Sequence, residues 1–66
     1  MQDERFAQLP EMLTVKQVAE YMQVNIRTVQ DWVNTGEMAR IMIGKREYRI
    51  RRSELQRFIQ DREKRG

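Results

Sequence analysis

Residues 13–37, LTVKQVAEYMQVNIRTVQDWVNTGE, decide the fold. Thr14 precedes an apolar-periodic run and Gln17 follows it by three positions, the spacing of a capping box in which each side chain satisfies the other residue's free N–H. Val15, Val18, Ala19 and Met22 recur at i, i+3, i+4 and i+7, one face of a helix, while Lys16, Gln17, Glu20 and Gln23 take the other face. This pattern predicts a helix over 15–22. Gln23-Val24-Asn25 interrupts it, and Asn25 is a favoured N-cap for a second helix. Ile26, Val29 and Val33 form the second buried stripe, flanked by Trp32. At 100° per residue, Arg27, Asp31 and Asn34 gather opposite, bordered by Thr28 and Thr35. Gly36 is a helix stop, so the second helix is predicted over 26–35. Two short helices joined by three residues make a helix-turn-helix candidate, with Ala19 small at the closest approach and Val24 plugging the turn. An ordinary helical hairpin shares these features, and the following segment separates the two.

Residues 39–51, ARIMIGKREYRIR, change period. Ile41 and Ile43 alternate with Arg40 and Met42, and Tyr48 and Ile50 alternate with Arg49 and Arg51. Between them, Gly44-Lys45-Arg46-Glu47 reads as the tip of a β-hairpin. Ser53 with Gln56 makes a second capping box, and Leu55, Phe58 and Ile59 give a third helix over 54–62 that closes the core. Helix, turn, helix, hairpin, helix is a small α+β, winged helix-turn-helix order. The predicted organisation is a flexible N-terminal arm (1–11), a domain over 12–62 and a frayed tail (63–66). Within the arm, Phe6 and Leu9 are able to dock on the core, and Pro10 prevents a continuous helix into the domain.

A chain of 66 residues and 8.1 kDa allows one domain. It has no cysteine and no histidine, which removes disulfides, the usual metal ligands and the usual general base. No cofactor, no metal and no catalysis are expected. No run approaches the roughly 20 apolar residues that span a bilayer, and MQDERFAQLPE does not resemble a signal peptide. The expected location is the cytoplasm of a bacterial cell or phage-infected host, at the nucleoid. The net charge of +3 is unevenly spread. Residues 1–37 hold three basic side chains against six acidic ones, a net −3, and residues 38–66 hold ten against four, a net +6. A basic half attracts polyanions, and nucleic acid is the first candidate. A merely solvated charged surface is the plain alternative. An anionic membrane surface fits less well, because the basic cluster falls in strand-like sequence rather than on an amphipathic helix.

On this arrangement the second helix suits the major groove of double-stranded DNA. Arg27 can pair bidentately with guanine or clamp a phosphate, Thr28 can bond phosphate or touch a thymine methyl, and Gln30 and Asn34 can read adenine. Asp31 repels phosphate unless it accepts from a cytosine amine or orients Arg27. Lys45 and Arg46 would border the minor groove as a wing, with Arg49 on phosphate. The first helix's N-terminus, with Thr14 and Lys16, would meet another phosphate.

The stretch 13–37, continued by the wing residues IGKREYRI and by SELQRFI, resembles the small excisionase class of MerR-like winged helices over about residues 12–60. The resemblance implies a recombination directionality factor: a DNA-binding protein that occupies repeated sites in attachment DNA, bends it, and directs an integrase to excise a phage or other mobile element. It implies Arg27, Thr28 and Asp31 at groove-facing positions and Arg46 in the wing. Two residues depart from the family pattern. Gln23 stands where glycine is usual, although a side chain there disfavours positive φ, and Asp31 stands where a basic residue is frequent. A small MerR-like transcription regulator shares every motif. A protein-interaction module of the antirepressor kind is the alternative from another class, to which adaptable methionines such as Met12, Met38 and Met42 would contribute. A chain ending at Gly66 leaves no coiled coil for dimerisation, so a monomer is expected when free. One helix and one wing give modest affinity, so cooperative head-to-tail association on neighbouring sites, or tethering to an integrase, is expected.

Overall fold

The structure, a computed structural model, describes residues 4–65. Its elements are α1 (Glu4–Ala7), β1 (Met12–Leu13), α2 (Val15–Met22), α3 (Ile26–Asn34), β2 (Ile41–Met42), β3 (Tyr48–Arg51) and α4 (Arg52–Arg65). The fold is a small α+β winged helix-turn-helix.

The two central helices form where local chemistry dictates. The Thr14 hydroxyl accepts from the Gln17 N–H at 3.0 Å, and the Thr14 N–H donates to Gln17 Oε1 at 2.8 Å. Asn25 Oδ1 accepts from the Arg27 N–H at 2.9 Å. Between the helices, Gln23 takes φ 57° and ψ 46°, the left-handed conformation expected to favour glycine. The turn enforces it through hydrogen bonds: Gln23 N–H donates to the Glu20 carbonyl at 3.3 Å and Val24 N–H to the Ala19 carbonyl at 3.0 Å. These bonds satisfy two carbonyls at the end of α2 that would otherwise be orphaned. The side chain tolerates the conformation at a cost of about 1 kcal/mol. Gly36 ends the second helix at φ 84°, and α3 stops one residue short of the predicted boundary, with Thr35 as its cap.

Three antiparallel strands lie in the order β1-β3-β2. Met12 and Leu13 pair with Arg51 and Ile50, while Ile41 and Met42 pair with Arg49 and Tyr48. The hairpin is therefore shorter than the predicted 39–51. The reason lies at Ala39, whose N–H donates to Glu54 Oε2 at 2.8 Å instead of to a strand. At the other end Ile43 and Gly44 N–H both donate to the Glu47 carbonyl, closing the tip.

The third helix starts earlier than the Ser53 cap predicted. β3 runs directly into α4, and the Arg52 N–H donates to the Glu11 carbonyl at 2.8 Å. Ser53 is left inside the first turn. At its far end the helix runs through Arg65, past the predicted end at 62 and across most of the expected tail; Gly66 lies outside the described residues.

The core comprises Phe6, Leu13, Val18, Ala19, Val29, Val33, Met38, Ile50, Leu55 and Phe58. Of the other predicted apolar positions, Val15, Met22, Trp32, Tyr48 and Ile59 pack half-buried against it and Ile41 is half-buried, while two are exposed: Ile26 at 42% and Ile43 at 51%. Ile26 sits in the first turn of α3, and Ile43 lies past the end of β2. The expected arm carries α1, whose Phe6 is buried against Tyr21 with ring centroids 5.8 Å apart. Arg52 Nη1 donates to the carbonyls of Ala7 (3.3 Å) and Leu9 (2.7 Å), fastening this segment to α4. Residues 1–3 of the arm lie outside the described residues.

Glu54 ties the chain between α3 and β2 to α4. Its carboxylate accepts from Arg57 and from the Ala39 N–H. The Arg57 hydrogen bond, against partial burial, holds its carboxyl below the usual carboxylate range. The depressed pKa contributes stability that is present above the unfolded value, about 4.3, and lost as pH falls through the folded one. Urea unfolding of the protein and of Glu54→Gln between pH 6 and pH 2 is expected to show the two converging in stability at low pH. A constant gap at all pH values would refute the linkage.

Candidate nucleic-acid interface

α3 carries the first group of candidate side chains. Val29 and Val33 turn inward and are buried, and Trp32 packs on Phe58 with centroids 4.7 Å apart. With those positions fixed, the helical period sends Arg27, Asp31 and Asn34 outward, and all three are exposed, as is Gln30; Thr28 is half-buried. The anchoring of α3 thus leaves a polar row facing solvent. No ion pair joins Arg27 to Asp31 among the described residues, so Asp31 does not orient Arg27 here. Both side chains remain available to an outside partner.

The second group is on the hairpin. Lys45 and Arg46 are exposed at its tip. Arg49 is more committed: its guanidinium lies 3.7 Å from Glu47 Oε2 and donates to the Tyr48 carbonyl at 3.0 Å. Two further arginines belong here that the sequence reading left out. Arg51 is exposed and lies two residues from Arg49, hence on the same face of β3. Arg40 is exposed with its guanidinium 5.2 Å from the centre of the Tyr48 ring. The period of two in YRIR was the signal for Arg51. Nothing local announced the Arg40–Tyr48 stack.

The third group is at the start of α2. Lys16 is exposed and Thr14 half-buried. The Thr14 hydroxyl oxygen already accepts from Gln17, which leaves its proton to donate. Among the described residues no hydrogen bond or ion pair connects the three groups; the fold positions each separately.

Much of the basic charge in the C-terminal half is used internally. Arg57 bonds Glu54 at 2.7 Å, Asp61 at 2.6 Å and the Glu37 carbonyl at 3.1 Å. Its proton is held more tightly than usual, chiefly by the Glu54 hydrogen bond. Arg62 lies over the Phe58 ring at 4.3 Å and the Trp32 ring at 5.2 Å, and reaches Glu37 at 3.5 Å. Arg52 is held by Ala7 and Leu9. The Arg57 and Arg62 contacts lock α4 to the end of α3 and to Glu37 beyond it, and the Arg52 contacts hold it to the N-terminal segment. Among the described side chains of this half, most cations without an internal partner lie on the hairpin.

No helix among the described residues is long and apolar enough to cross a membrane, and no cluster of acidic residues among them is placed to hold a metal ion. Residues 12–63 match the family model described as a helix-turn-helix domain. That match covers most of the chain and begins at β1, so it takes in both central helices, the wing and nearly all of α4. A search of curated proteins found no match.

Proposed function

The chain belongs to the helix-turn-helix domain family, and from that premise we propose that it is a sequence-specific, double-stranded-DNA-binding accessory factor of the excisionase kind. It occupies repeated sites in attachment DNA, bends that DNA, and directs an integrase to excise a mobile element. The observation that carries the reading is the pairing of an unpartnered polar row on α3 with uncommitted cations at the wing. α3 enters the major groove. Arg27 donates its fork to a guanine, Thr28 bonds phosphate or touches a thymine methyl, and Gln30 and Asn34 reach adenines or backbone. Asp31 accepts from a cytosine amine. Lys45 and Arg46 follow the minor groove, Arg49 and Arg51 face phosphate, and Lys16 with the start of α2 takes another phosphate. The protein performs no chemistry on the DNA; the integrase does.

The molecule is 35 Å in its longest dimension, about one turn of B-DNA at roughly 34 Å. One copy therefore covers at most about one turn, which limits its phosphate contacts and its affinity. Occupancy of neighbouring sites by further copies, in head-to-tail order, and tethering to the integrase raise the effective concentration.

The test is a gel shift on the element's attachment DNA across a salt series, with and without integrase. Laddered, salt-sensitive shifts that strengthen with integrase are the expected result. Equal and independent filling of each site would refute cooperativity. Shifts confined to a promoter would replace the excision role with transcriptional regulation. Lys45→Ala combined with Arg46→Ala is expected to weaken binding to every duplex. The slope of log affinity against log salt should become shallower by about two units, since each phosphate contact contributes about 0.9. An unchanged slope would remove these two side chains from the interface.

A further inference from the structure

Met42 and Ile43 are 50% and 51% exposed and adjacent in the chain. Single exposed apolar residues are ordinary, but these two are neighbours at the end of the hairpin, bracketed by the exposed cations Arg40, Lys45 and Arg46. They make both sides of the wing's end apolar: Ile43, whose N–H donates to the Glu47 carbonyl, lies on the face opposite Met42. The register explains how Met42 comes to be bare. Met42 pairs with Tyr48, so it shares the sheet face that, two residues along β3, puts Ile50 into the core. At Met42 that core has ended. Gly44 adds a second observation. Its backbone is not left-handed, and a Cβ there would meet only Glu47 Cβ at an ordinary 3.8 Å. Neither conformation nor packing requires glycine, and its presence keeps the tip narrow and its backbone bare.

We infer that the wing is a wedge: Met42 and Ile43 enter the minor groove and partly unstack a base step while Lys45, Arg46 and Arg40 hold the flanking phosphates. The inference rests on the DNA-binding reading above and assigns the bend to two residues. Charge complementarity selects the occupant: Arg40, Lys45 and Arg46 flank the apolar pair, and the tip's one acid, Glu47, lies 3.7 Å from the Arg49 guanidinium, so the net positive, apolar end matches a groove whose floor is base edges and whose rims are phosphates. Methionine and isoleucine are among the side chains that kink duplexes in this way. Bare backbone at Gly44 permits close approach to the groove floor.

The experiment uses the full chain and a duplex of about 40 base pairs carrying a site selected by the protein from a random pool. Donor and acceptor dyes on its ends report bending, and 2-aminopurine at successive steps reports unstacking. The wild type is expected to shorten the end-to-end distance and brighten one step beneath the wing. The variant Met42→Ser with Ile43→Ser is expected to bind within about tenfold of wild type while losing both signals. Both positions are exposed, and an unchanged melting temperature verifies folding. A bound variant that still bends and unstacks the DNA overturns the wedge, as does a wild-type complex with straight, fully stacked DNA. Concentration-dependent dimers that the double substitution abolishes, with bending intact, would hand the patch to a second copy and overturn it equally. Failure of the wild type to bind any duplex overturns the DNA-binding reading itself, a distinct result.

Discussion

Phe6→Ala is expected to remove a large share of the protein's stability at room temperature. Phe6 is 2% exposed and packs on Tyr21 in the core shared by both central helices and β3. Truncating a buried phenylalanine to alanine costs about 3–5 kcal/mol. A domain of this length has a total stability of about 3–10 kcal/mol at 0.05–0.15 kcal/mol per residue, so one substitution removes a large share of it. A chain this small has little apolar surface in reserve. The measurement is urea unfolding followed by Trp32 fluorescence, compared with a deletion of residues 1–11. Both proteins should unfold at much lower urea than the wild type, and the deletion should fare no better than the point variant. A loss below about 1 kcal/mol for either would show that the N-terminal segment does not share the core in solution.

That segment was also the hardest to read from sequence, for the same physical reason that the substitution matters. α2 and α3 were legible because their signals are local: Thr14 with Gln17, Asn25 before a 3.6-residue period, Gly36 after it. The N-terminal segment has one short helical turn and a proline, and is fixed by partners more than forty residues away, chiefly the Arg52 guanidinium on the Ala7 and Leu9 carbonyls. The same non-local contacts moved the start of α4. Ser53 and Gln56 have the spacing of a cap, but the Arg52 N–H is satisfied by Glu11 across the fold, so the helix begins before the cap. Glu54 in turn accepts the Ala39 N–H and so shortens the hairpin. Local pattern proposes an element, and tertiary hydrogen bonds decide where it stops.

The candidate interface divides along the same line. The outward row on α3 follows from its period once Val29 and Val33 are inside, and the hairpin tip follows from its alternation. Which cations are free does not. Arg52, Arg57 and Arg62 count toward the basic half in the sequence, yet each is held by carbonyls, carboxylates or aromatic rings of the same molecule. Net charge therefore overstates the surface offered to a polyanion. What remains among the described side chains is Lys45, Arg46 and Arg51 on the hairpin, with Arg40 stacked on Tyr48 beside them, against Lys64 on α4; on the proposed reading the wing rather than α4 is the main electrostatic contact.

Arg27→Ala should abolish most discrimination between the preferred site and a site with the contacted guanine replaced. Arg27 is exposed in the first turn of α3, where side chains reach base edges in this class of fold. Among the described residues its side chain has no ion pair to give up on binding. A bidentate arginine–guanine contact supplies about 1–3 kcal/mol of discrimination, equivalent to about 5- to 150-fold in relative affinity. Affinity for unrelated duplexes should fall far less, because it depends mainly on phosphate contacts, chiefly those of the wing. Arg27→Lys sharpens the test. Lysine keeps the charge but lacks the planar fork, so a base-reading role predicts that it restores non-specific affinity and little of the preference. A phosphate-clamping role predicts near-complete rescue of both. Competition binding with the two duplexes separates these outcomes, and retention of full preference by Arg27→Ala would remove the first turn of α3 from base recognition.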